Sequence, residues 1–397
     1  MNALPQWMRS WMSRFGCTLQ ASVSQRRQYV VHSLLTLCLG CMPSLSPGLK
    51  ADMLPRIQIN TSGTGFVQAG ITHPFSIRGF NYDHDRDGRL IEDYWESEWE
   101  TVEADFVEMA DLGANVVRIH LQFGKFMEGP DKPRNESLER LKKLLDLAES
   151  TGLYLDLTGL GCYHKKDIPE WYDSLGESER WDAQARFWEA IASTCAGHHS
   201  VYCYDLMNEP ILAGKNKVET DWLAGELGGK FFVQRLTLDL KERSREQVVE
   251  QWVEKMCRAV RKHDQNALIT VGVIPWAHVF PGAKPLFYRE STFSHLDFVS
   301  VHFYPEAEQV EKALTALKVY ELGKPLIVEE CFPLKCSLEE MEDFMQRSNA
   351  FVDGWISFYW GKTISEYQNA DTIPDHIVGG WLEQLSGQWG KSAASNK

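Results

Sequence analysis

Two apolar runs of the chain end in carboxylates. Asp-Leu-Met-Asn-Glu-Pro carries Asn208 and Glu209, and Ile-Val-Glu-Glu-Cys-Phe carries Glu329 and Glu330. A facing pair of carboxyl groups is what scission of a glycosidic bond requires. One stays protonated and delivers its proton to the leaving oxygen, while the other, ionised, attacks the anomeric carbon; a gap of ~5 to 5.5 Å gives retention of configuration. The two surroundings must hold the two pKa values apart. Such chemistry is possible only if the fold brings these distant segments to one cavity.

The elements that would do so are readable from periodicity. From residue 75 onward, short apolar runs alternate with amphipathic stretches, which means a parallel sheet with crossover helices. The strands are read as Phe75 to Tyr82, Asn115 to Leu121, Tyr154 to Leu160, Val201 to Met207, Leu268 to Ile274, Phe298 to Phe303, Pro325 to Glu330 and Gly354 to Tyr359. Between and after them, helices are expected at Trp99 to Leu112, Leu138 to Ser150, Ala183 to Ala196, Gln247 to His263, Glu308 to Tyr320, Leu338 to Gln346 and Asp375 to Leu385. Gly113, Gly152 and Gly323 sit where left-handed helix caps are wanted. The crossover after the fifth strand, Trp276 to Arg289, is rich in Pro and Gly and is the least regular.

Eight strand and helix units are the count of a closed barrel, so the expected fold is α/β, a single (β/α)8 TIM barrel. The open doubly wound alternative lacks a GxGxxG or GxxxxGK after its first strand. An extended loop after strand four, Ile211 to Leu240, holds Trp222 and several glycines and is expected to form a lid or groove wall. In such a barrel reactive groups sit at the carboxyl ends of the strands, and strands four and seven face one another.

Asn-Glu-Pro after strand four together with Glu after strand seven resembles glycoside hydrolase family 5, the cellulase family, within the retaining (β/α)8-barrel glycosidase clan. The resemblance extends to Arg118 in Val-Val-Arg-Ile-His at the end of strand two, His302 and Tyr304 in Val-His-Phe-Tyr at strand six, and Trp360 in Phe-Tyr-Trp-Gly at strand eight. It covers roughly residues 75 to 385, with the matches in order on the expected strands. It implies that Glu209 is the acid/base and Glu330 the nucleophile, since the family's nucleophile is last in its strand. Strand alternation is consistent with this, placing Ile327 with Glu329 on one face and Val328 with Glu330 on the other.

Physical roles can be given to the remaining matches. Asn208 can donate its amide to a sugar 2-hydroxyl as charge develops at the anomeric carbon. Arg118 would favour the charged form of Glu330, with Tyr304 adding a hydrogen bond. His302 could bond a sugar hydroxyl, and Trp360 would floor the subsite of the cleaved sugar. The family usually carries a His after strand three; here Thr158 stands there, and His164 or His120 might substitute. His120 points the same way as Arg118, either toward the sugar or as a hydrogen-bonded wall residue. The plainer readings are an Arg118 ion pair, core packing of His302, Tyr304 and Trp360, and core or lid packing of Trp171, Trp222 and Trp276.

No metal or other cofactor is expected. A metal-dependent barrel hydrolase would need His-x-His at strand one, where the chain has Asn81-Tyr82-Asp83. The loop from Asp83 to Glu92 has the spaced carboxylates of a calcium loop, but Tyr94 stands where a bidentate Glu belongs. Asp83 or Asp85 could instead line a sugar subsite.

Residues 1–51 are expected to be an export signal and linker: Arg26 and Arg27, then the largely apolar run Tyr29 to Met42, then Ser, Pro and Gly. That run is shorter than the ~20 residues of a membrane-spanning helix, so a stable span is disfavoured. Arg-Arg-Gln-Tyr-Val-Val resembles a twin-arginine address, with a general secretory signal and lipidation at Cys41 as alternatives. A secreted or periplasmic location follows. Residues 52–390 would be the catalytic domain and 391–397 a disordered tail.

Beyond the signal lie Cys162, Cys195, Cys203, Cys257, Cys331 and Cys336, none in a CxxC pair, so no zinc site is indicated, and pairing is open. The chain has 397 residues with 55 acidic against 41 basic groups, a net charge of −14, which excludes a polyanion partner such as nucleic acid. The expected protein is a retaining β-glycosidase of β-glucan or β-mannan chains or their oligosaccharides; the rival is a catalytically silent barrel that only binds carbohydrate. A groove open at both ends would favour endo attack, and one blocked at an end exo attack.

Overall fold

A computed structural model describes residues 53–395. The expected export segment lies outside the described residues. No helix among them is long and apolar enough to cross a membrane.

Eight parallel strands form the barrel: Ile77–Asn81, Val116–Gln122, Tyr154–Gly161, Val201–Asp205, a fifth strand in two pieces, Val299–His302, Leu326–Glu330 and Gly354–Phe358. The fifth is split into Ile269–Thr270, which pairs with strand four, and Gly272–Val273, which pairs with strand six. Its two halves therefore close the ring. The strands are buried on both faces, as crossover packing dictates, and this is why they read as apolar runs rather than as alternating patterns.

The main crossover helices are Trp99–Asp111, Asn135–Thr151, Glu177–Cys195, Arg245–Arg261, Val310–Leu317 and Leu338–Ser348, with Ile373–Ser395 closing the ring of helices. Glycines end three of these segments in the left-handed conformation expected of them, Gly152 at φ 75°, Gly113 at 93° and Gly323 at 81°. Ser244 and Ser337 cap two others by accepting the amide hydrogens of Gln247 and Glu340. The irregular crossover after strand five holds two single-turn helices, Trp276–Val279 and Glu290–Phe293. The last helix continues to Ser395, into the stretch expected to be a disordered tail.

Some short elements lie outside the sequence reading, and one of them seals the barrel. A hairpin of Ile57–Ile59 and Phe66–Gln68 plugs the amino-terminal mouth of the barrel. Ile57 and Phe66 pack there with Ile77, Val116, Tyr154 and Tyr202, and the Phe66 ring meets Tyr202 and Phe298 edge-on at 5.6 and 5.3 Å. A fully buried aromatic in such a plug contributes about 3–5 kcal/mol. With this end sealed by carbon, substrate access is left to the opposite end.

The long loop after strand four is largely ordered as strand. Leu223–Leu227 and Lys230–Arg235 form a hairpin, and the second arm also pairs with Pro210–Ile211 directly behind Glu209. All six cysteines of the described residues are free thiols, five of them buried. A core this size does not need disulfide staples.

Candidate active site

Arg118 organises the carboxyl end of the barrel. It ends the second strand fully buried, so every N–H of its fork must find a partner or cost free energy. Nη1 donates to Asn81 Oδ1 at 2.9 Å and Glu330 Oε1 at 2.7 Å; Nη2 donates to Asp205 Oδ2 at 2.8 Å and Asn208 Oδ1 at 2.9 Å. One guanidinium on strand two thus fixes residues from strands one, four and seven.

Glu330 is the residue of the pair at the rim. Between Val301 and His302 the register with strand seven slips, so that His302 lies opposite Glu330 and not Glu329. Tyr304 donates its hydroxyl to Glu330 Oε2 at 2.8 Å. Burial pushes the Glu330 carboxyl up; His302 and Arg118 oppose it by favouring the anion. Glu329 points into the barrel, fully buried, 3.8 Å from Arg118 Nε and 3.7 Å from His302 Nε2. Burial would raise its pKa, but Arg118 and His302 hold it down at about 2.

Glu209 stands across the cavity, just beyond strand four. Its backbone takes a left-handed conformation, φ 46°, unusual for a residue with a side chain, and its N–H donates to Gly272 O at 2.9 Å. This turn at the strand end lifts the carboxylate into the cleft. His302 Nδ1 lies 2.9 Å from Glu209 Oε1 and 3.4 Å from Glu330 Oε2. An oxygen of each carboxylate and a ring nitrogen of His302 all lie within 4.8 Å of one another.

That spacing would also suit a cation. Burial alone would lower the His302 pKa, but Glu330, Glu209 and Glu329 push it up to about 10, which favours a proton on the ring between the two carboxylates.

The other expected site residues divide. Asn208, 3% exposed, lines the cleft and donates one Nδ2 hydrogen to Phe232 O at 2.9 Å, leaving the second to point at a ligand. Trp360 lines the opposite wall, stacked on Phe358 with planes 4° apart at 5.3 Å. His120, read from sequence as a possible sugar contact, is 2% exposed and lines no part of the cleft. Its Nδ1 hydrogen-bonds the Tyr163 hydroxyl and its Nε2 lies 3.3 Å from Asn81 Oδ1, so the structure makes it a wall residue. Thr158 donates to Asp205 at 2.9 Å, below the rim, and His164 is outside the cleft.

Three groups were not singled out by the sequence: Asn81, Asp156 and Asp205. Each is fully buried on a barrel strand, and a charged or amide side chain inside an apolar run was the available signal. Burial and the neighbouring Glu329 raise the Asp156 carboxyl well above its usual range.

Gly272 makes room for this packing. A Cβ there would meet Glu329 Oε2 at 2.5 Å, His302 Nε2 at 2.7 Å and Arg118 Nη2 at 3.2 Å. Gly272→Ala is therefore expected to displace His302 and lower kcat at least about tenfold, with destabilisation of about 1–3 kcal/mol. Steady-state kinetics with thermal denaturation will check this; unchanged kcat and Tm would mean the interior is not close-packed around these charges.

The loop from Asp83 to Glu92 is not a cation cage, because its carboxylates turn to different partners. Asp85 accepts from the amides of Asp87 and Arg89, Asp83 Oδ2 lies 2.7 Å from His84 Nδ1, and Glu92 Oε1 accepts from Gln122 N at 2.8 Å. Asp83 does line the cleft, and Asp85 does not.

Burial raises the Glu92 pKa from 4.5 to about 7. The folded state then binds a proton more tightly than the unfolded chain, so stability is lost as pH rises from about 4.5 through about 7. Glu92→Gln keeps the acceptor for Gln122 and removes the charge. It is expected to match the parent near pH 4 and to exceed it by about 3 kcal/mol at pH 8. Urea unfolding at both values measures the difference, and a variant less stable at pH 8 would contradict it.

Comparisons with known proteins follow the same lines. The family model for cellulase (glycosyl hydrolase family 5) matches residues 69–361. No curated protein sequence matches the chain. Among solved structures, the exo-beta-1,4-mannosidase Op5Man5 from Opitutaceae bacterium strain TAV5 is 17% identical with a TM-score of 0.61, over 85% of this chain but only 62% of that one. The catalytic domain of Thermobifida fusca endoglucanase Cel5A is 16% identical, TM-score 0.54, covering 84% of this chain and 97% of that one. The beta-glucanase SdGluc5_26A from Saccharophagus degradans is 16% identical, TM-score 0.55, covering 87% and 98%. At these identities the solved structures support the barrel itself.

Proposed function

As a member of the cellulase family, glycosyl hydrolase family 5, the chain is a glycoside hydrolase, and we propose that it cleaves β-glucan or β-mannan type chains, or their oligosaccharides, by double displacement. The observation that carries this reading is the approach of Glu209 and Glu330, an oxygen of each within 4.8 Å of the other at the mouth of one cleft, closer than the ~6.5 to 9.5 Å between carboxyl groups that inversion uses. The names of the structural neighbours, glucanase, endoglucanase and mannosidase, support the substrate class.

In the first step Glu330, held as an anion by Arg118 and Tyr304, attacks the anomeric carbon while Glu209 gives its proton to the departing oxygen. A covalent glycosyl ester results. In the second step Glu209 takes a proton from water, the hydroxide attacks the same carbon, and the Glu330 carboxylate leaves. The free Nδ2 hydrogen of Asn208 meets the 2-hydroxyl of the sugar, and Trp360 gives that sugar a flat apolar floor. His302 bridges both carboxylates and keeps their orientation when the proton moves. Glu209, Glu330, Asn208 and Trp360 are the groups that touch substrate; Arg118 acts through Glu330.

The reaction needs no metal, and treatment with a chelator is expected to leave the rate unchanged. Chromogenic β-glucosides and β-mannosides, then β-glucan and β-mannan polymers, test the assignment with Glu330→Gln as control. Hydrolysis by the parent and none by the variant is expected; equal rates for both would remove the proposal. We also assign residues 1–51 to export, which the mass of the mature amino terminus recovered outside the cytoplasm would check.

A further inference from the structure

The cleft, of about 400 Å³, has two unlike ends. One is built by Asp83 and His84, just past strand one, and by the hairpin of the strand-four loop, which supplies Leu227, Lys230 and Phe232. This hairpin is fastened across the barrel mouth. Phe231 N donates to Tyr163 O at 2.9 Å, Gln234 Nε2 to Leu160 O at 2.6 Å, and the Phe232 ring packs on Tyr163 at 4.7 Å. Its tip turns through Gly228 and Gly229, both at positive φ, and carries Lys230 toward Gly88, whose Cβ position would lie 3.0 Å from Lys230 Nζ. The strand-one loop and the hairpin thus meet and close that end.

What closes it is polar and unsatisfied. Asp83 and Lys230 are each only 4% exposed. Asp83 Oδ1 has no hydrogen-bond partner, and the Lys230 ammonium is drawn to the charges of Asp83 and Asp85. A buried acceptor and a buried ammonium facing the same cavity each cost free energy until something fills the space. Adjacent sugar hydroxyls suit such a pair, one donating to the Asp83 carboxylate and the other accepting from Lys230 Nζ.

The opposite end, at strand five, is open and apolar. Trp276 is 42% exposed and Phe280 58%, their rings stacked at 6.0 Å with planes 27° apart, on the turn whose Pro275, His278 and Val279 line the cleft. Flat exposed rings of this kind suit a sugar chain passing outward.

We propose that the enzyme attacks from a chain end: the terminal sugar is seated in the closed pocket with its hydroxyls on Asp83 and Lys230, and the rest of the chain leaves over Trp276 and Phe280. This rests on the glycosidase reading above. Trp360 floors the attacked sugar and lies just past strand eight, beside strand one, so the closed end holds the glycone and the terminal sugar is the non-reducing one. A substituent on its hydroxyls has no exit through the hairpin.

Time courses on β-1,4-mannohexaose and cellohexaose reduced at their reducing ends, read by mass spectrometry, test this with the parent protein. Release from the outset of one saccharide of constant short length is expected, and, with β-mannan or β-glucan polymer as substrate, little loss of viscosity. An early mixture of lengths with rapid viscosity loss would overturn end attack and leave the glycosidase reading intact, whereas no hydrolysis of any glycoside would overturn both. Lys230→Met and Asp83→Asn are each expected to raise KM for the hexaose about tenfold or more while Tm holds. Unchanged KM in both folded variants would overturn the terminal-sugar contact.

Discussion

Glu330→Gln is expected to lower kcat by about 10⁴-fold or more on every glycoside, whatever its leaving group, while the fold survives. The substitution is nearly isosteric: its oxygen can accept from Arg118 Nη1 and its NH2 can donate to the Tyr304 hydroxyl, the two partners that lie 2.7 and 2.8 Å from the carboxylate oxygens. What it removes is the anion that forms the bond to the anomeric carbon. Glu209→Gln should behave differently. Its proton matters in proportion to how poor the leaving group is, so hydrolysis of an unactivated oligosaccharide should fall by about 10²–10⁴-fold. Formation of the ester from a dinitrophenyl glycoside should be nearly unaffected. The assignment of the two roles would be reversed if Glu330→Gln, and not Glu209→Gln, kept activity on the activated substrate.

Arg118→Met should produce the largest loss of stability of any single substitution at the site. It leaves Asp205 fully buried without its partner at 2.8 Å, strips Glu330 of its nearest fixed cation and leaves Glu329 with His302 alone. Removing one member of a buried ion pair costs about 3–5 kcal/mol because the remaining charge has no solvent. A fall in Tm on the order of 10 °C follows. Arg118→Lys restores the charge but offers a single point in place of a fork that spans four acceptors. It should recover part of the stability and little of the activity, since Glu330 and Asn208 cannot both be held. A Lys variant with full kcat would mean that charge alone, and not the fork geometry, sets the nucleophile.

The barrel strands were readable because a parallel strand covered on both faces has to be apolar along its length, and each of the eight announced itself that way. Register was less so. Alternation separates Glu329 from Glu330 but does not say which faces the cleft, and the deciding slip between Val301 and His302 leaves no mark in composition. Alternation also put His120 with Arg118, and both are buried as that implies, but nothing local shows that the Tyr163 hydroxyl covers it. The helix Glu177–Cys195 begins six residues before its expected start, because its first turn, Glu-Ser-Glu-Arg, is polar on every side.

The two hairpins escaped for opposite reasons. Ile57–Ile59 and Phe66–Gln68 are too short to show a period, and their role as a plug exists only once the barrel mouth is formed. In the strand-four loop, Gly228-Gly229 between two semi-apolar arms is a hairpin signal, and it went unused because the stretch was read as loop. The polar end of the cleft is assembled by that hairpin and the strand-one loop together, from residues more than a hundred positions apart. No window of sequence contains it.

The central claim is that the Glu330 carboxylate becomes covalently bonded to sugar. Incubating the protein with a dinitrophenyl 2-deoxy-2-fluoro-β-glycoside, digesting it and sequencing the labelled peptide by mass spectrometry reads that bond directly. One fluoro-sugar on Glu330 is the expected result; steady turnover of natural substrate with no trapped adduct, or an adduct on Glu329 or Glu209, would contradict it.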